Sequence, residues 1–150
     1  MLPGDPPASG LSIDDEGRFL VAGEPVTHAR TLEVLWQGLS RRPDGRWQVR
    51  VGREVALVEV RETAWLVRAV EDREGRLEAL LVGGGCAPLD PATLRVGPDG
   101  VLRVTLPTGD PARFTRAAQV ALGLQLAEDP SAPGGFRLDV GGRSFPLGRE

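Results

Sequence analysis

Two segments of this chain read alike, and their repetition constrains the fold more than any other feature of the sequence. VTHARTLEVLWQ begins at Val26, and FTRAAQVALGLQ begins at Phe114, about 88 residues later. In this alignment His28 stands over Arg116. Each segment belongs to the same series: a turn, a strand, a helix, a glycine turn and an aromatic-led strand that runs into Gly-Arg. The shared order predicts an internal duplication, with two small copies packed on each other.

Apolar spacing predicts a helix in each of the two segments. The first helix has its apolar residues at i, i+3, i+4 and i+7, with Thr27 as its N-cap. The second is expected from about Thr115 to Ala127. The residues that we expect in the core from these helices are Leu32, Leu35, Trp36, Leu39, Val120 and Leu124.

Between the helices the sequence is rich in β-forming residues. From Trp47 to Val82, alternating runs such as WQVRV are joined by short polar turns, which favours an antiparallel sheet. We predict an α+β fold of two repeated strand-helix-strand units with a largely antiparallel sheet, packed as one compact protein. The predicted organisation is a flexible tail at 1–10, an N-terminal subdomain at 11–97 and a C-terminal subdomain at 98–150 that repeats its motif.

The composition argues against several classes of function. All 18 basic residues are arginine, and 21 acidic residues give a net charge of −3, so nonspecific nucleic-acid binding lacks its electrostatic basis. One cysteine and one histidine exclude an intramolecular disulfide and argue against a metal site. The start of the sequence does not read as a signal peptide, and no apolar run approaches the roughly 20 residues of a membrane span. We expect a cytoplasmic bacterial protein with neither cofactor nor metal.

The first half of the chain also carries a family likeness. It contains DEGRFLVAGEPVTHARTLEVLWQGLSRR, followed by DGRWQVRVGREVALVEVRETAWLV. These segments resemble an uncharacterised bacterial family, domain of unknown function 1285. Gly23, Pro25 and Glu54 match the family pattern, whereas Val51-Gly52 and Thr63-Ala64 depart from it. The resemblance implies a divergent member with a two-part α+β fold, repeated motifs and a ligand-binding or signalling role.

His28 and Arg116 are the candidate binding residues. Both lie just inside the start of a predicted helix, where backbone N–H groups and the helix dipole attract an anion. The alternative is that both are surface residues beside a helix cap. Cys86 follows three glycines, but a nucleophilic cysteine needs a base, and His28 is the only imidazole. We therefore expect Cys86 to be small, buried and without a catalytic role, and we assign no catalytic residue and no metal ligand.

These observations favour a binding protein over an enzyme. The leading hypothesis is a non-enzymatic small-ligand-binding or regulatory module, with a pocket between the two repeats. It would take a small anionic ligand or a protein partner and act as a homodimer or with that partner. One alternative is a small enzyme that uses carboxylates and arginines. Another is a structural interaction domain that adds strands across a sheet edge.

Overall fold

Strands dominate the structure, a computed structural model that describes residues 8–150. Within that range 47% of the residues lie in strands of three sheets, and 15% lie in helices. The prediction of two repeated strand-helix-strand units is therefore wrong. The two α-helices have only 10 and 8 residues, and most of the regular structure consists of paired strands. Residues 1–7 of the predicted tail lie outside the described residues, and residues 8–10 belong to a strand.

The backbone falls into two compact units, one that ends at Ala64 and one from Trp65 to Glu150. The boundary that the repeat predicts, between residues 97 and 98, falls inside the second unit. The elements of the first unit are β1 (Ala8–Ile13), β2 (Phe19–Val21), β3 (Glu24–Pro25), α1 (Ala29–Gly38), β4 (Leu39–Arg41), β5 (Trp47–Val51) and β6 (Glu54–Val60).

The second unit contains more and shorter strands. Its elements are β7 (Leu66–Arg73), β8 (Arg76–Leu81), β9 (Cys86–Pro88), the 3-10 helix η1 (Pro91–Thr93), β10 (Arg95–Val96), β11 (Leu102–Thr105), β12 (Pro111–Phe114), α2 (Arg116–Gly123), β13 (Leu126–Glu128), β14 (Phe136–Val140), β15 (Arg143–Pro146) and β16 (Gly148–Arg149).

The first unit is built on one sheet with the strand order β3-β2-β1-β6-β5-β4. The pairing of β1 with β6 is parallel, with Ile13 opposite Val60, and the other pairs are antiparallel. The alternation along β5 predicts one face made of Trp47, Val49 and Val51; Trp47 and Val49 are buried, whereas Val51 is exposed. Helix α1 packs against β5, and the sheet and helix together bury the apolar core of this unit.

Helix α1 forms where its apolar spacing predicts, with two differences. His28, not Thr27, is the N-cap, because its ring nitrogen accepts a hydrogen bond from the backbone of Thr31. Leu35 is the buried side chain of the helix, whereas the other predicted core residues, Leu32, Trp36 and Leu39, are half-buried. The helix ends at Gly38, and the chain then enters β4, which pairs with β5.

The second unit contains two sheets. One has the order β16-β10-β11-β12-β7-β8-β9, and the other is the antiparallel meander β13-β14-β15. In the larger sheet β12 lies parallel to β7, with Phe114 opposite Val67. The buried residues form one hydrophobic cluster, which includes Val67, Ala79, Leu89, Leu102, Val104, Ala112, Phe114, Leu122, Leu138 and Leu147.

Helix α2 begins as predicted, after an N-cap at Thr115, but it ends at Gly123 and not near Ala127, which lies in β13. The expectation for its core residues is wrong, because Val120 is 59% exposed and Leu124 is 85% exposed. Ala118 and Leu122 are buried instead. Residues four apart share a helical face, so the face that packs on β7 and β12 is offset from the one that the alignment indicates. In residues 8–150, neither helix has the length and apolar character that a bilayer crossing demands.

Candidate functional site

The structure places His28 and Arg116 at helix starts, where each is exposed. The Nδ1 atom of His28 accepts a hydrogen bond from the Thr31 backbone N–H at 3.3 Å, and it lies 3.1 Å from the Thr31 hydroxyl. Arg116 is the first residue of α2, whose start is capped by the Thr115 hydroxyl, 3.2 Å from the Ala118 nitrogen. In each helix a side chain of the protein therefore takes one of the N–H groups that an anion would use.

Cys86 is exposed at the start of β9, so the expectation that it is buried is wrong. The Glu78 carboxylate raises the pKa of the Cys86 thiol, first by hydrogen bonding and then by its charge. Arg73 bridges Glu78 and Glu71, with nitrogen–oxygen distances of 3.1 and 2.9 Å. A carboxylate that raises a thiol pKa disfavours the nucleophilic thiolate, and the absence of a catalytic role for Cys86 stays a prediction.

A concave surface in the first unit lies where the parallel strands β1 and β6 end and β5 begins. We call it the first-unit cavity; its volume is about 660 Å³, and Trp47 lines it together with charged side chains. Its two arginines already have carboxylate partners. Arg46 pairs with Asp44 and Arg61 pairs with Asp15, each at 2.7 Å. The positive charges of this cavity are therefore largely neutralised by carboxylates of the protein itself.

A second concave surface lies within the second unit and has a different electrostatic character. We call it the second-unit cavity; its volume is about 440 Å³. Its lining includes Arg76, Arg143, Asp90, Leu77, Leu89, Val140 and Phe145. Within residues 8–150, the guanidinium groups of Arg76 and Arg143 form no hydrogen bond and no ion pair with another side chain. The Arg143 guanidinium instead lies over the Phe145 ring, 5.4 Å from its centroid.

Sequence reasoning did not identify the second-unit cavity. Arg76 and Arg143 are 67 positions apart in the chain, so no local motif joins them. A weak signal was present, because each arginine follows the glycine of a tight turn, in EGR at Glu74 and in GGR at Gly141. Only the packing of the two turns, described below, brings these arginines to one surface.

Comparison with known proteins identifies the fold. No family model and no curated protein sequence matches this chain. The crystal structure of a DUF1285 family protein from Silicibacter pomeroyi DSS-3 aligns with a TM-score of 0.68 and 18% identity, over 95% of this chain and 83% of that one. A DUF1285 family protein from Shewanella baltica OS155 aligns with a TM-score of 0.58 and 16% identity, over 76% of this chain and 90% of that one. The chain therefore has the fold of these two DUF1285 proteins, which confirms at the level of structure the resemblance seen in its sequence.

Proposed function

We propose that this protein is a divergent DUF1285-type protein and a non-enzymatic module that binds a small ligand in the second-unit cavity. The observation that carries the proposal is a pair of arginines beside an apolar floor, Arg76 and Arg143, which have no carboxylate partner among residues 8–150. The volume of about 440 Å³ lies within the range of about 300–1,000 Å³ that is typical of small-molecule sites. Apolar walls with a few polar groups are also typical of such sites.

The reactive side chains of the described residues support binding rather than turnover. Glu78 raises the pKa of the Cys86 thiol, and His28 serves as a helix cap. Hydrogen bonds from Arg103 and Arg46 hold the pKa values of Asp99 and Asp44 well below their usual range. Such carboxylates are poor general acids near neutral pH. The alternative of a small carboxylate-and-arginine enzyme is therefore the weaker proposal.

A regulatory role would follow from ligand binding. Three further expectations stay predictions: the cytoplasmic location, the homodimer and the protein partner. The anion site at His28 and Arg116 also stays a prediction.

The proposed function is tested by a thermal-shift screen of the purified protein against metabolites and nucleotides. A ligand at 100 times its Kd stabilises the folded state by about 2.7 kcal/mol, which is readily detected. Compounds that raise Tm are then tested on Arg76→Ser/Arg143→Ser. The matched control is Arg149→Ser, which removes an exposed arginine of the same unit that is not among the cavity-lining residues. Binding that the double variant loses and the control keeps supports the proposal, and a screen with no stabilising compound contradicts it.

A further inference from the structure

Two hairpin turns meet at the second-unit cavity and bring its arginines together. Gly75 lies in the β7-β8 turn, and Gly141 lies in the β14-β15 turn. A Cβ atom added to Gly75 would lie 3.2 Å from the Gly141 Cα, and one added to Gly141 would lie 3.2 Å from the Gly75 carbonyl oxygen. Both glycines have positive φ, +84° and +61°, a conformation that other residues rarely adopt. The close approach therefore depends on glycine on both sides.

This contact brings two arginines into the lining of one cavity. Arg76 directly follows one of the touching glycines, and Arg143 stands two residues after the other. The acidic group in the lining is Asp90, whose Oδ1 accepts a hydrogen bond from the Ala92 backbone N–H at 3.0 Å and caps η1. Two arginines and one aspartate leave one net positive charge. A ligand with a single negative charge would neutralise it.

The rest of the lining is apolar. Leu89 and Val140 are buried, at 4% and 9% exposure, and Leu77 and Phe145 are half-buried. The contact of Arg143 with the Phe145 ring restrains the guanidinium beside this apolar surface. A small inorganic anion would contact the arginines and leave the apolar walls exposed to water. A ligand with an apolar body would cover them.

We infer that the second-unit cavity selects a small amphiphilic anion, namely one carboxylate attached to an aliphatic or aromatic body. The inference rests on the proposed function and specifies its ligand class. The carboxylate pairs with the guanidinium groups of Arg76 and Arg143, whose planar N–H donors match its geometry. The apolar body packs against Leu77, Leu89 and Val140.

The test uses phenylacetate and octanoate as probes, with backbone amide NMR spectra of the full chain as the readout. Three comparison compounds separate the components of recognition: acetate has the charge without the body, inorganic phosphate is an anion without the body, and phenethylamine has the body with the opposite charge. We expect phenylacetate and octanoate to shift the amide signals of Gly75, Ala92 and Gly141. Acetate and phosphate should bind at least about tenfold more weakly, a difference of about 1.4 kcal/mol.

Variants assign the effect to the arginines. Arg76→Gln/Arg143→Gln should weaken phenylacetate binding at least about tenfold, whereas Arg149→Gln should leave it unchanged. Dispersed amide spectra show that each variant is folded. Equal binding of phenethylamine and phenylacetate, or no shift at these three amides, overturns the inferred ligand class. In that case, neutral or cationic compounds that bind the cavity in the thermal-shift screen would still support the proposed function. If no compound binds, both the proposed function and the inferred ligand class are contradicted.

Discussion

The Trp36 ring meets the Phe19 ring edge to face, with centroids 4.8 Å apart and an angle of 72° between the planes. Phe19 is completely buried in β2, and Trp36 projects from α1. The contact between these two rings therefore stabilises the packing of α1 against the sheet of the first unit. Edge-to-face aromatic pairs contribute about 0.5–1.5 kcal/mol beyond the area they bury.

Truncation of Trp36 should therefore destabilise the protein strongly. We expect Trp36→Ala to lower the free energy of unfolding by about 2–3 kcal/mol, because it removes a large, half-buried apolar side chain and its contact with Phe19. Urea denaturation followed by circular dichroism measures the change. A double-mutant cycle with Phe19→Leu isolates the ring contact. A loss below about 1 kcal/mol for Trp36→Ala would show that the Trp36 side chain makes few stabilising contacts.

The two helices end in glycines that should respond in opposite ways to alanine. A Cβ atom on Gly38 would collide with the Arg50 carbonyl oxygen of β5, whereas one on Gly123 would meet nothing within 4 Å. We expect Gly38→Ala to destabilise by about 1–3 kcal/mol through overpacking. Gly123→Ala should be neutral or stabilise by up to about 1 kcal/mol, because alanine is the better helix former. Equal effects in urea denaturation would contradict the close approach of α1 to β5.

Glu78 should control the reactivity of Cys86. Its carboxylate raises the thiol pKa, so Glu78→Gln should lower that pKa and increase the fraction of thiolate at pH 8. We expect alkylation by iodoacetamide to be faster in Glu78→Gln than in the wild type. Cys86→Ser should keep any ligand binding that the screen detects. An unchanged alkylation rate would show that the carboxylate does not act on the thiol, and loss of binding in folded Cys86→Ser would give the cysteine a functional role.

Two aspartates predict how stability depends on pH. Hydrogen bonds from Arg46 lower the Asp44 pKa to about 2, and those from Arg103 lower the Asp99 pKa further below its usual range. On unfolding both values return to about 3.9. The ionised carboxylates therefore stabilise the folded state fully above about pH 5, and this stabilisation is lost as the pH falls from about 4 through the folded values.

Urea midpoints measured between pH 7 and pH 2 check this prediction. The contribution of Asp44 and Asp99 should keep the midpoint constant down to about pH 5. Below that pH the midpoint should decline, and the decline should be shallower in Asp99→Asn. Glu16→Gln, which removes an exposed acid outside these ion pairs, is the control and should keep the wild-type slope. Identical slopes in all three proteins would rule out Asp99 as a source of the acid sensitivity.

Anion titration decides whether the matched helix starts have a binding role. His28→Ala should cost about 0.5–2 kcal/mol of stability through loss of the cap alone. If the helix starts also bind anions, sulfate, phosphate and small carboxylates should raise Tm in the wild type more than in His28→Ala/Arg116→Ala. An exposed helix end contributes only about 0.3–1 kcal/mol, so millimolar concentrations are needed. The same increase in the folded double variant would show that His28 and Arg116 have no anion-binding role.

The positions of the helices could be predicted from local sequence, whereas the faces that they bury depend on tertiary packing. The starts of α1 and α2 lie within about two residues of the predicted positions because spacing and caps are local properties. Their buried faces were harder to predict: Trp36 aligns with Leu124, yet Trp36 is half-buried and Leu124 is 85% exposed. Sequence similarity between two short helices does not determine which face of each helix packs against the sheet. That choice depends on strands distant in the sequence.

The same limit applies to the strands and the cavity. The Pro- and Gly-rich composition near residue 10 favours a tail, but Ala8–Ile13 forms a strand because β6 offers it a partner. Likewise, Arg76 and Arg143 line the same cavity only because two turns that are distant in the sequence touch at Gly75 and Gly141. Neither relationship is encoded within any window of a dozen residues.

The parallel pairs have a consequence for how this chain folds. In the first unit, the meanders β3-β2-β1 and β6-β5-β4 are joined along the β1-β6 pair, and in the second unit β12 joins β7. Ile13 and Val60 lie 47 residues apart, and so do Val67 and Phe114. Each meander forms from neighbouring residues, whereas each joining pair must close a long loop first, which costs chain entropy. We expect the meanders to assemble early and the two joining pairs, β1-β6 and β7-β12, to set a folding time of milliseconds to seconds, as for other sheets with distant pairings. A third parallel pair, β10-β16, likewise joins distant residues, with Val96 opposite Arg149. During synthesis on the ribosome, none of these pairs can close until its second strand has emerged.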